Sequence, residues 1–232
     1  MNILKTFRGL FFPATCFNCQ NHLMADERII CADCNSSLNF LEDICLNCGA
    51  SENKGECRIC STNTFHFDRA RSVFLFTPIL QKLIHEFKYH EITKIANLFG
   101  ELSQTYLKKF QPFDIVDYIA PVPLHKVKKR DRGFNQSELL TGEISKNMNW
   151  EHLPNLIKRK RFTKTQTKLN KEQRRKNVSS AFKINPKFDI KGKNILLVDD
   201  VFTTGATTNS IAEVLKESQA DKVYVLTIGR AL

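Results

Sequence analysis

The chain has 232 residues, 42% of them apolar, which allows one domain of ordinary size with a real core plus a small module and excludes a disordered chain. Its 35 lysines and arginines against 24 aspartates and glutamates leave a formal charge of +11, which favours polyanionic partners such as nucleic acid or phosphorylated metabolites. No run approaches the roughly 18 uninterrupted apolar residues of a membrane span, so no membrane insertion is expected.

The start, MNILKTFRGLFFPATC, puts basic residues before an apolar patch, the order of a secretory signal. The patch over residues 9–14 is too short for one and contains Pro13. The expected location is therefore cytoplasmic, where paired cysteines serve as metal ligands rather than as disulfides. All eight cysteines fall before residue 61, in four C-x2-C pairs: Cys16/Cys19, Cys31/Cys34, Cys45/Cys48 and Cys57/Cys60. Such a turn lets both thiolates reach one tetrahedral ion, and two pairs complete a closed four-sulfur structural site, so two zinc ions are expected in a ribbon-like module. Pairing neighbours, first with second and third with fourth, closes the shorter loops at the smaller cost in chain entropy. An interleaved arrangement, first with third and second with fourth, also closes. His22 and His66 are read as surface residues, because eight thiolates already fill two sites. The segment shows no sustained helical or strand period and cannot bury enough apolar surface to fold unaided. Metal binding, worth about 10–16 kcal/mol in small zinc modules, would make up the deficit. The compositional step divides the chain into a cysteine-rich zinc-binding module over residues 1–64 and a second domain over residues 65–232.

From there strand and helix signals alternate. ARSVFLF (70–76) reads as a strand, after which Thr77 as N-cap and Pro78 at the first helical position open a helix. Ile79, Leu80, Leu83, Ile84 and Phe87 lay one apolar stripe along it. A second helix is expected over about 92–110, and a buried strand ending in prolines over 114–124. Asn135 followed by Glu138 forms a capping-box-like start for a helix to about Lys146. After a basic stretch come the strand signals SAFKI and NILLVDD, a helix over about 206–218 with Ile211, Val214 and Leu215 on one side, and a last strand KVYVLTI. This order predicts an α/β fold with a mostly parallel sheet flanked by helices on both faces.

The stretch ILLVDDVFTTGATT (195–208) carries the sharpest chemical signal. Its apolar run suits a central parallel strand, and ligands of open α/β sheets bind beyond the carboxyl ends of such strands, where Asp199 and Asp200 fall. The loop 203–208, comprising Thr203, Thr204, Gly205, Ala206, Thr207 and Thr208, then turns into a helix. Backbone N–H groups at a helix start cradle an anion, threonine hydroxyls add donors, and Gly205 lets the backbone approach closely. The two carboxylates can accept from vicinal ribose hydroxyls, directly or through hydrated Mg²⁺. A sugar bearing a 5-phosphate satisfies both halves. The strand also resembles a Walker B element, but no G-x4-G-K-[S/T] loop occurs in the chain, which argues against a P-loop nucleotidase.

ILLVDDVFTTGATT resembles the binding motif for phosphoribosyl pyrophosphate (PRPP) of the type I phosphoribosyltransferases. With APVPLHKVKKRDRGFNQS (120–137), RFTKTQTKLNKEQRRKNVSSAF (161–182) and the cysteine-rich start, the chain resembles the ComF family of bacterial competence proteins, of the ComFC type, over nearly its whole length. The resemblance implies a type I phosphoribosyltransferase-like domain in which Asp199 and Asp200 hold the ribose hydroxyls at the reacting centre and the loop 203–208 holds the 5-phosphate. It also implies that Pro123, Leu124 and His125, within the loop 121–125, hold the pyrophosphate with Mg²⁺ and with help from Arg132. Chemistry in that superfamily departs from an oxocarbenium-like centre, so cations that neutralise the leaving pyrophosphate are its main need. Lys128, Lys129 and Arg130 can supply them.

Residues 158–176 hold ten basic side chains, among them Lys158, Arg159, Lys160, Arg161, Arg174 and Arg175, against the single acid Glu172. Such a segment is a solvated loop, a hood that closes on pyrophosphate, or a track for a DNA backbone shared with Lys128, Lys129 and Arg130, with Phe162 and Phe182 available to stack on bases. The ComF resemblance implies handling of single-stranded DNA during uptake in natural transformation, beside other competence or DNA-processing proteins as candidate partners. A Mg²⁺-dependent transferase acting on an unidentified acceptor is the alternative, because no base-selective subdomain can be read from the chain.

Overall fold

The computed structural model describes residues 14–24, 29–42, 44–51, 56–89, 92–124, 126–159 and 181–231. Two short helices, α1 (Ala32–Ser36) and α2 (Arg58–Thr62), lie in the cysteine-rich segment. The α/β part follows as β1 (Arg69–Leu75), α3 (Pro78–Tyr89), α4 (Ile92–Phe110), β2 (Tyr118–Pro121), α5 (Lys126–Arg132) and α6 (Gln136–Met148). It continues through β3 (Glu151–His152), β4 (Ile157–Arg159), β5 (Phe182–Ile184), β6 (Ile195–Phe202), α7 (Ala206–Glu217) and β7 (Val223–Arg230).

Five strands form one sheet in the order β1-β7-β6-β2-β3, every neighbouring pair parallel. Over residues 195–198 successive residues of β6 point to opposite faces, as the two-residue strand period requires. Leu196 and Val198 join the core formed with α3, α4 and α6, where Leu80, Leu83, Phe87, Phe99, Leu140 and Ile144 are buried. Ile195 and Leu197 join the other core, with Ile211 and Leu215 of α7. Both faces are therefore covered, and all eight residues of β7 are buried.

The expected helices at 78, 92, 135 and 206 are present. Thr77 Oγ1 accepts from the Leu80 N–H at 3.4 Å ahead of α3, and the Asn135 side chain accepts from the Ser137 N–H at 3.3 Å ahead of α6. Glu138 does not close a capping box; its carboxylate pairs with Lys129 Nζ at 3.4 Å. The strand expected over 114–124 shortens to the four residues of β2. SAFKI does not enter the main sheet: β5 pairs antiparallel with β4 in a separate hairpin. A three-residue strand cannot announce its partner in the sequence, and β4 was embedded in the basic stretch.

The cysteine-rich segment caps the β1 edge. Leu41 N–H donates to the Val73 carbonyl at 2.9 Å, Phe40 bridges to Phe74, and Ala70 N–H donates to the Asn47 carbonyl at 2.7 Å. Phe40 stacks on Phe74 at 5.4 Å and meets Tyr106 edge-on. An open edge strand is a template for unwanted pairing, and the module removes it.

Candidate functional site

From β2 the chain moves outward to β3, and from β6 it moves the other way to β7, so the strand order reverses between β2 and β6. Open α/β sheets have their crevice at such a point, beyond the carboxyl ends of the strands. Here those ends deliver Pro121 to the loop 122–124 and Asp199 and Asp200 to the loop 203–205.

Asp199 Oδ1 accepts from Ser137 Oγ at 2.9 Å and from the Asp200 N–H at 3.0 Å. Among the described residues no hydrogen bond reaches its Oδ2, which leaves an acceptor for a ribose hydroxyl or a hydrated cation. Burial, reinforced by the neighbouring Asp200 charge, pushes the Asp199 pKa up to about 7 against the lowering pull of Ser137, the Asp200 N–H and Lys88. Asp200 is neutralised at once: Lys88 Nζ of α3 sits 2.7 Å from its Oδ2, and its Oδ1 takes the Val201 N–H at 2.8 Å. Neither Lys88 nor Ser137 was singled out from the sequence. Lys88 sits in no motif, and only the packing of α3 on the sheet brings it to the strand end. Ser137 could have been found, since it closes the APVPLHKVKKRDRGFNQS block.

In the loop, Gly205 has φ +72° and caps α7. A Cβ there would lie 2.5 Å from Phe202 Cζ, so the position requires glycine for its dihedral and for its contact. Thr203, Thr204, Ala206 and Thr207 are exposed. The Thr204 hydroxyl accepts from the Ala206 N–H at 3.3 Å. Thr208 is different: it is 4% exposed and its hydroxyl donates to the Gly205 carbonyl at 3.0 Å, so it braces the turn instead of facing a ligand.

Pro123 and Leu124 line a cleft of about 510 Å³ with Lys129, Asn135, Glu138, Pro154, Asn155, Ile157, Lys158, Arg159 and Lys183. The structure thus gathers part of the expected pyrophosphate loop and part of the expected nucleic-acid set around one cavity. Asn135 spans this site as both N-cap of α6 and donor to the Val122 carbonyl at 3.1 Å. Arg130 points to Asp131 at 3.7 Å with most of its side chain in solvent, and Arg132 lies 5.4 Å over the Tyr89 ring. Arg159 stacks 5.4 Å over Phe182, and burial lowers its pKa. Phe182 is 3% exposed and cannot stack on a base, which corrects that expectation: its apolar ring is spent in the core between β5 and α7. His125, Lys160, Arg161, Phe162, Arg174 and Arg175 lie outside the described residues, as does the side chain of Lys128.

The eight cysteines form two clusters, Cys16, Cys19, Cys31 and Cys34, and Cys45, Cys48, Cys57 and Cys60, with the sulfurs of each within 4.8 Å of one another. Neighbouring pairs therefore combine, and the interleaved arrangement is excluded. Sulfur separations of 3.6 Å (Cys19–Cys31), 3.7 Å (Cys45–Cys60) and 3.5 Å (Cys48–Cys57) are too long for a disulfide. Four sulfurs about 2.3 Å from one zinc ion stand about 3.8 Å apart at the corners of a tetrahedron, so both clusters fit structural zinc. Each begins in a tight knuckle: Cys16 and Cys45 donate to the Asn21 and Ala50 carbonyls, and Gln20 and Gly49, each four residues after the first cysteine, adopt φ +65° and +70°. Each ends in a short helix whose N-cap is the third cysteine, Cys31 or Cys57. His22 and His66 belong to neither cluster.

Two domain families match separate parts of the chain. Residues 7–65 match the double zinc ribbon domain family, and residues 135–229 match the phosphoribosyl transferase domain family. The chain is 30% identical over 228 residues to DNA utilization protein YhgH of Escherichia coli O157:H7, covering 96% of this chain and all of that one. It is 27% identical to Competence protein F of Haemophilus influenzae, over 95% of this chain and 99% of the relative. Competence protein ComFC of Streptococcus pneumoniae is also 27% identical, over 90% of each. Among solved structures, glutamine PRPP amidotransferase from B. subtilis superposes with a TM-score of 0.43 at 16% identity, over 61% of this chain and 30% of that one. Adenine phosphoribosyltransferase from Saccharomyces cerevisiae gives 0.39 at 15% identity, over 62% and 72%.

Proposed function

The chain belongs to the ComF family of competence and DNA-utilization proteins carrying a phosphoribosyltransferase domain, and from that premise we propose that it binds PRPP with Mg²⁺ and handles single-stranded DNA during uptake in natural transformation. The observation that carries the PRPP reading is the strand end itself. Two carboxylates, one with an unengaged oxygen, stand just ahead of a glycine turn with exposed threonines and a helix start, on the strand next to β2 where the strand order reverses. The 5-phosphate rests on residues 203–207 with Thr208 holding the turn closed. The ribose hydroxyls meet Asp199 and Asp200, and the pyrophosphate extends toward Pro123, Leu124 and His125, with Arg132 nearby along α5. Mg²⁺ would neutralise the pyrophosphate and tighten its hold on the carboxylate side of the site.

The DNA role is supported by the names of the relatives and by the charge of +11, part of which lines the cleft as Lys129, Lys158, Arg159 and Lys183. No helix among the described residues is long and apolar enough to cross a membrane, in keeping with a proposed cytoplasmic site of action. A second reading, phosphoribosyl transfer to an unidentified acceptor, is favoured by the cleft volume of about 510 Å³, which falls in the range of small-molecule pockets.

Calorimetric titration of the full chain with PRPP and Mg²⁺ tests the common premise. Saturable one-site binding is expected, abolished in Asp199→Ala/Asp200→Ala; heat indistinguishable between the two proteins would refute it. Release of pyrophosphate from PRPP in the presence of acceptors, absent in the same variant, separates turnover from binding alone.

A further inference from the structure

Two buried arginines tie the second cysteine knuckle to the sheet. Arg71 of β1, 6% exposed, donates to the Cys45 carbonyl at 3.3 Å and to the Leu46 carbonyl at 2.9 Å. Arg230, the last residue of β7 and 3% exposed, donates to the Cys48 carbonyl at 2.7 Å. Among the described residues neither forms an ion pair with a carboxylate. A buried guanidinium without a counter-charge is costly, and a zinc ion held by four thiolates is a net dianion. Zinc held by Cys45, Cys48, Cys57 and Cys60 would supply the charge that these arginines lack.

Arg230 also reaches the other way. Its guanidinium lies 4.5 Å over the ring of Phe202, which is 2% exposed, and the Ala231 N–H donates to the Phe202 carbonyl at 3.0 Å. On that ring rests Gly205, in contact so close that no Cβ fits between them. Cys48, Arg230, Phe202 and Gly205 thus form an unbroken line of contacts from the second knuckle to the turn of the 203–208 loop. Among the described residues the first knuckle has no such line: Cys16, Cys31 and Cys34 belong to the core with α3 and α4, and Phe202 belongs to the other core.

We propose that Arg230 is a positioning residue through which the second zinc site, and not the first, holds the 203–208 loop in the shape that receives a phosphate ester. The proposal rests on the reading of that loop as the phosphate cradle. It makes the ribbon more than an edge cap, since the metal's occupancy sets the geometry of a site on a different element. A guanidinium suits the task because it is planar enough to stack on a ring while donating at its edge to a carbonyl.

The test compares wild type, Arg230→Gln, Phe202→Leu, Cys57→Ser and Cys19→Ser in the full chain. Three quantities are measured: zinc per chain, PRPP affinity with Mg²⁺, and amide hydrogen exchange over residues 203–208. Arg230→Gln and Phe202→Leu are expected to keep both zinc ions, to speed exchange in the loop while leaving α6 unchanged, and to weaken PRPP on the order of tenfold. Cys57→Ser should lose one zinc and loosen the loop in the same way, whereas Cys19→Ser should lose one zinc and leave the loop as in wild type. Wild-type loop exchange in both Arg230→Gln and Phe202→Leu would overturn the proposal. So would equal loosening by the two cysteine variants. If wild type itself fails to bind PRPP, the functional reading falls, and the exchange measurement still decides the coupling.

Discussion

Asp199 and Asp200 follow the buried half of the same strand, but only one of them is paired with a cation. Lys88 neutralises Asp200 at 2.7 Å, while Asp199 relies on a serine hydroxyl and a backbone N–H, and burial beside a second carboxylate raises its pKa to about 7. An acid whose pKa is higher in the folded state costs stability once it ionises. The cost is absent below its unfolded-state value near 3.8, grows as pH rises, and is complete above about 7. Asp199→Asn keeps an oxygen for Ser137 and Asp200 N–H but removes the charge. The variant should therefore melt above wild type at pH 8, and the gap should narrow as pH falls through 7 and close only below about pH 4. PRPP affinity should move in the opposite sense, falling at pH 8, because the amide offers less to a hydroxyl or a hydrated cation. Wild type should also release protons on binding PRPP with Mg²⁺ near pH 7, read as a dependence of the calorimetric heat on buffer ionisation enthalpy. A variant that melts with wild type across this range would show that Asp199 is not held against its charge.

At the scale of elements, the second knuckle shows how tightly the zinc segment is fitted to the sheet. Gly49 has φ +70°, and a Cβ there would collide with the Ala70 carbonyl of β1. Gln20, its counterpart in the first knuckle, tolerates φ +65° because it is exposed. Left-handed backbone costs an L-residue about 1–2 kcal/mol, and the collision adds to it. Gly49→Ala should lose about 2 kcal/mol or more, which lowers the melting temperature by roughly 4–8 °C in a chain of this size. Zinc per chain should fall below two, whereas Gln20→Gly should leave both measures near wild type. The contrast also marks what could be read from the sequence. Strand-ending acids, caps and C-x2-C spacing are local, so the helices at 78, 135 and 206, the central strand and both ligand sets were legible. Which cysteine pairs combine, the hairpin of β4 with β5, Lys88 over Asp200, and Arg230 between Cys48 and Phe202 are long-range contacts that no local period encodes. Phe182 departs from expectation for a related reason: residue type announces what a side chain can do, and burial decides whether it can do it.

For the whole molecule, the charge of +11 becomes informative once it has a location. Lys129 and Lys158 are exposed and line the cleft beside Pro123 and Leu124, and the chain enters and leaves its most basic stretch next to them, at Arg159 and Ala181. Lys146 is also exposed but sits in the last turn of α6, whose first turn faces the cleft, and Lys109 stands at the end of α4 paired with Glu42. Net charge alone would make these lysines equivalent for binding a polyanion. A backbone track along the cleft would not, because only neutralised phosphates release counterions, with a slope of about 0.7 per phosphate for a single strand. Lys129→Ala/Lys158→Ala should therefore reduce the log–log salt dependence of single-strand affinity by about 1.4, and Lys109→Ala/Lys146→Ala should leave it nearly unchanged. Equal reductions from the two double variants would mean that DNA is held by diffuse charge with no track. A slope near zero in wild type would mean that the charge serves the phosphates of PRPP alone.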